Sequence, residues 1–94
     1  MESKKRILVV DDDQHITLVL RSGLTKHGYD VRVAAEGQSA LELFQLWTPD
    51  LVVTDLSMPN MDGLEVCRRL RAISSVPIIV LSVKGDPSPL SPLP

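Results

Sequence analysis

Between Arg6 and Asp11 the chain runs Ile-Leu-Val-Val without a polar break, the pattern of a strand buried on both faces. From His15 the period becomes helical. Ile16, Val19, Leu20 and Leu24 recur at three- and four-residue spacing, Asp13 stands where an N-cap acceptor belongs, and Gly28 where a left-handed C-terminal cap does. Residues 29–35, YDVRVAA, alternate and are β-branched, which predicts a half-exposed strand. Ala40, Leu41, Leu43, Phe44 and Trp47 predict a second amphipathic helix, stopped by Pro49. A third strand is expected over residues 50–55, DLVVTD, then a loop of turn formers, SMPNMDG. Leu64, Val66, Cys67, Leu70 and Ile73 mark a third helix, and VPIIVLS, residues 76–82, a fourth strand.

Strand and helix alternate throughout, which is the signature of a parallel sheet covered on both faces. In such sheets functional groups gather beyond the carboxyl ends of the strands. Parallel connectivity therefore brings Asp11, Asp12, Asp55 and Ser82 to one edge although they are far apart in sequence.

Composition narrows the picture. A chain of 94 residues with 44% hydrophobic and 23% charged residues is expected to form a single domain with one core. A net charge of −2 argues against direct nucleic-acid binding or a membrane surface as the main task. Lys4-Lys5-Arg6 and Arg68-Arg69-Arg71 read as a solubilising lead-in and a wet helix face. The lone Cys67 fits a reducing compartment and a small core position, and no stretch has the length of a membrane span, so a cytoplasmic protein is expected. From Gly85 the composition breaks: GDPSPLSPLP holds four of the seven prolines. Residues 1–85 are therefore read as the domain and 86–94 as an extended or disordered tail.

The acidic edge carries the chemistry. Adjacent carboxylates repel and lose hydration at a sheet end, so Asp11, Asp12 and Asp55 need a cation. Oxygen donors without His or Cys suit a hard ion, and Mg2+ accepts few protein ligands. An aspartate beside it can act as a nucleophile and carry an acyl phosphate, with the Ser82 hydroxyl in reach of a phosphoryl oxygen. A purely structural reading, helix caps and a turn, explains one aspartate but not three in a row plus Asp55. His15 and His27 are assigned to a solvated face.

Taken together, ILVVDDD, PDLVVTDLSMPNMDGLEVCRRLR and VPIIVLSVKG resemble the receiver domain of bacterial two-component response regulators, in particular those with a winged-helix output domain. The resemblance covers residues 6–85. It implies an α/β, flavodoxin-like, doubly wound parallel sheet, here with four strands in the order 2-1-3-4 and three helices, and phosphotransfer from a histidine kinase. By position Asp55 matches the phosphoacceptor, and Asp11 and Asp12 match the acidic pair that binds Mg2+. Ser57 matches the residue whose backbone carbonyl completes the metal site, and Ser82 the hydroxyl that senses the phosphoryl group. Pro59 and Asp62-Gly63 match the loop that follows.

The family pattern continues through a fifth strand ending in a lysine, for which Lys84, just after the fourth strand, does not stand in. The expectation is thus a truncated receiver, impaired in switching and slow to be phosphorylated. Its fourth-strand edge is expected to pair with a second copy in a homodimer. It is not expected to be an enzyme. The alternatives are a non-phosphorylating interaction module and a small Mg2+-dependent phosphatase working through an aspartyl phosphate. The latter is disfavoured because His15 stands where such enzymes place Thr or Val.

Overall fold

The computed structural model describes residues 4–81. Ser82, Lys84 and the expected tail at 86–94 lie outside them. In chain order the elements are β1 (Arg6–Val10), α1 (Gln14–Lys26), β2 (Asp30–Ala34), α2 (Gly37–Trp47), β3 (Leu51–Asp55), α3 (Gly63–Arg71) and β4 (Ile78–Leu81). The strands form one sheet in the order β2-β1-β3-β4, and every neighbouring pair is parallel. This is the doubly wound α/β arrangement with the expected strand order.

The unbroken apolar run of β1 exists because that strand is central. Ile7 to Val10 are all buried, with neighbours on both sides and helices on both faces. Leu8, Val10 and Val52 face Ala40, Phe44 and Trp47 of α2 and Val66 and Leu70 of α3. On the opposite face Ile7, Val9, Val31 and Val53 pack with Leu20 and Leu24 of α1. Leu8 is fully buried, and its truncation to alanine would cost about 2–5 kcal/mol.

Tertiary packing trims several sequence-based expectations. Only the 16, 20 and 24 positions of the α1 stripe lean inward, while Val19 is exposed and Thr17 is the helix's buried residue. On α3, Val66 and Leu70 are buried, but Leu64 is exposed and Ile73 lies exposed beyond the helix end. Asp50 precedes β3 rather than opening it, and its carboxylate accepts the Arg6 amide at 2.8 Å. Arg6 itself is more than a solvated lead-in. Its guanidinium donates to the Trp47 carbonyl at 2.7 Å and, with that of Arg32, lies near the Trp47 ring. β4 begins two residues later than expected, the Pro77 carbonyl accepting the Val52 amide just before it.

Candidate functional site

At the same edge of the sheet, β1 is followed by an acidic residue and β3 ends in one. β1 runs into Asp11, whose amide donates to the Ala34 carbonyl at 3.1 Å and so prolongs the ladder by one residue. β3 ends at Asp55, which pairs in register with Leu81 of β4. Asp11 and Asp55 are both buried, whereas Asp12 is exposed. One carboxylate oxygen from each of Asp11, Asp12 and Asp55 lies within 4.8 Å of the others.

Two helix starts frame this trio. At the first, the Asp13 carboxylate caps α1, accepting the amides of His15 at 2.9 Å and Ile16 at 3.3 Å. The Asp13 amide turns the other way and donates to Asp11 Oδ1 at 2.9 Å. At the second, Asp62 caps α3 by accepting the Glu65 amide at 2.9 Å. Gly63 then passes so close to β3 that a Cβ there would run into the Asp55 carbonyl oxygen. Its amide donates to the Leu56 carbonyl at 2.8 Å.

Between them the loop from Leu56 to Asp62 is anchored rather than loose. Met58 is buried in the core, and Met61 packs against Gly37 at the start of α2. Asn60 adopts a left-handed φ of 70°, and the Met61 amide closes on the Pro59 carbonyl at 2.8 Å. Asparagine tolerates that conformation better than most residues.

The donor set fits Mg2+. All three side chains offer hard oxygen atoms, and an octahedral ion at about 2.0–2.1 Å sets neighbouring donors about 2.9 Å apart and opposite donors about 4.2 Å apart. A trio already within 4.8 Å needs only small rotations to reach that spacing. Ser57, expected to add a backbone carbonyl, is exposed in the loop two residues after Asp55. Ser82 falls outside the described residues. His15 and His27 are exposed, and His27 Nδ1 lies 2.9 Å from the Gly23 carbonyl, a helix-end contact.

Two relationships were not foreseen from the sequence: the bond from the Asp13 amide to Asp11, and the contact of Gly63 with Asp55. A third aspartate after the acidic pair and a glycine opening a helix were their only sequence signals.

The chain matches the family model for the response regulator receiver domain over residues 7–91. It is 50% identical over 84 residues to the probable transcriptional regulator ycf27 of Cyanophora paradoxa, covering 89% of this chain and 35% of that protein. The response regulator MprA of Mycolicibacterium vanbaalenii is 48% identical over 84 residues, covering 88% of this chain and 36% of that one. The chain thus spans about a third of the length of these curated relatives. Among solved structures, chemotaxis protein CheY4 of Vibrio cholerae superposes with a TM-score of 0.84 at 32% identity, over 90% of this chain and 73% of that one. A chain in the complex of histidine kinase ThkA with response regulator protein TrrA gives a TM-score of 0.79 at 37% identity, over 90% and 74%.

Proposed function

Because this chain belongs to the response regulator receiver domain family of two-component systems, we propose that it accepts a phosphoryl group on Asp55 from a histidine kinase. The observation that carries the reading is the meeting of Asp11, Asp12 and Asp55, from two different strand ends, within 4.8 Å. A Asp55 carboxylate oxygen attacks the donor phosphorus. The new oxygen–phosphorus bond forms as the bond to the leaving group breaks, and an acyl phosphate results. Asp11, Asp12, Asp55 and the Ser57 carbonyl would hold Mg2+, which when bound offsets the negative charge of carboxylates and phosphoryl oxygens. Asp55 is buried, its main chain against Gly63 and paired in register with Leu81, while one of its carboxylate oxygens lies within 4.8 Å of one from the exposed Asp12. Ser82 is proposed to hydrogen-bond the phosphoryl group.

The kinase as partner is supported by the structural likeness to a chain from a kinase–regulator complex. Self-association along β4 is supported by the exposure of Ile79 and Val80 on its opposite faces. Among the described residues no helix is long and apolar enough to cross a membrane, and with one cysteine and a net charge of −2 we read the chain as a cytoplasmic module that does not itself contact nucleic acid.

Incubation with a small-molecule phosphodonor and Mg2+ tests the proposal. One stable acyl phosphate per chain, lost with a chelator and in Asp55→Asn, is the expected result. Continuous release of inorganic phosphate would instead indicate a phosphatase, and no labelling an interaction module.

A further inference from the structure

Three acidic residues follow β1, yet only two of them join the carboxylate trio. The third, Asp13, is half-buried and committed to the start of α1, where its Oδ1 receives the His15 and Ile16 amides. Its carbonyl accepts the Thr17 amide at 3.1 Å, the first bond of the helix. The side chain and the carbonyl of Asp13 thus fasten this residue to the first turn. With that turn fixed, the peptide N–H of Asp13 is fixed as well, and it points at Asp11 Oδ1 at 2.9 Å.

We infer that Asp13 is a positioning residue for the metal site: by capping α1 it holds the amide that orients the Asp11 carboxylate. The inference rests on the Mg2+ reading above and deepens it. A carboxylate ligand bound through one oxygen is aimed by whatever holds the other, and such outer partners carry much of a metal site's affinity. Mg2+ is demanding here because it needs near-octahedral donors and loses its waters reluctantly. An Asp11 side chain without this donor would be held less closely in the orientation that faces Asp12 and Asp55. The effect is geometric and runs through hydrogen bonds. It therefore differs from a simple gain of one more negative charge near a cation, and from a general tightening of the fold.

Calorimetric titration of Mg2+ into the full chain separates these possibilities, with folding of each variant verified by circular dichroism. Asp13→Asn keeps the capping oxygen and removes the charge, and is expected to bind within about twofold of the unaltered chain. Asp13→Ala removes the acceptor and is expected to bind roughly tenfold more weakly. Leu24→Ala loosens the same helix at its packed face and is expected to leave affinity unchanged in the folded chain. Should Asp13→Ala not fold, Asp13→Gly, which disturbs a helix start little, gives the same comparison. Equal losses in Asp13→Asn and Asp13→Ala would assign the effect to charge and overturn the inference, and so would an unaltered affinity in Asp13→Ala. An equal loss in Leu24→Ala would assign it to general loosening, with the same consequence. Failure of the unaltered chain to bind Mg2+ would be seen before any variant is compared, and would remove the metal reading itself.

Discussion

Gly63 lies directly against the main chain of Asp55. A Cβ placed on the glycine would sit 3.0 Å from the Asp55 carbonyl carbon and from Leu56 Cα, and nearer still to the Asp55 carbonyl oxygen. These neighbours are backbone atoms of a buried strand end, so they cannot swing aside as a flexible side chain would. Gly63→Ala should therefore destabilise the chain by about 1–3 kcal/mol. Gly23, inside α1, has open space around it, and Gly23→Ala should stabilise by up to about 1 kcal/mol through helix propensity. Urea unfolding of the two variants checks the opposite signs. Equal effects would show that the contact at Asp55 yields freely.

Metal binding should depend on the trio unequally. Asp12 is exposed and Asp11 and Asp55 are buried, so Asp12→Ala removes a ligand with little loss of packing. It is expected to weaken Mg2+ binding at least tenfold while leaving thermal stability without metal unchanged or slightly raised, because one repelling charge is gone. Equal Mg2+ affinity in the variant and the unaltered chain would remove Asp12 from the site.

Acid sensitivity on α3 follows from Glu65. Side-chain hydrogen bonds from Arg69 and then Arg68 hold its carboxyl below the ordinary carboxylate range. The bonds measure 2.7 Å from Arg69 Nε and 2.6 Å from Arg68 Nη2. Since the folded-state value is the lower one, the contribution is present above the ordinary carboxylate pKa and is lost as pH falls through the lowered value. Comparing unfolding of Glu65→Gln with the unaltered chain across acidic pH should show a small difference that vanishes at the acid end and shrinks in high salt. A difference that grows on acidification would reverse the assignment.

Self-association is expected to run through β4. Ile79 pairs with Val53 and Val80 with Thr54, so the two point to opposite faces of the sheet, and they are 47% and 37% exposed. Among the described residues β4 is a marginal strand of the sheet, and apolar groups on both faces of such a strand invite a second strand. Sedimentation at micromolar concentration should show a dimer that Ile79→Lys converts to monomer. A folded monomer indifferent to that substitution would contradict the expectation.

Much of the architecture was legible because the central strands are dominated by apolar residues, Ile7–Val10 and Leu51–Val53, shortly before the aspartates that follow. β1 and β3 are buried on both sides, so the apolar run and the acid that ends it stand out together. Parallel alternation then places Asp11, Asp12 and Asp55 on one edge without further information. The solvent-facing residues were less legible. Val19, Leu64 and Ile73 are apolar and fit a helical stripe, yet face water, because periodicity alone does not say how wide a stripe the sheet can cover. The loop carried least signal. Its shape depends on Asn60 in a left-handed conformation, on Gly63 returning against Asp55, and on the longer-range contact of Met61 with Gly37, none of which a hydrophobic period announces. The orienting bond from the Asp13 amide to Asp11 was hidden for a different reason: it is made by the backbone, which the residue type does not announce.

The central claim is that Asp55 itself takes the phosphoryl group. Treating the phosphodonor-labelled chain with borohydride reduces an aspartyl phosphate to homoserine, and peptide mass spectrometry then locates it. The account predicts homoserine at position 55 alone, dependent on Mg2+ during labelling and absent without donor. Homoserine at position 11 or 12, or a chain that carries phosphate with residue 55 unaltered, would contradict it.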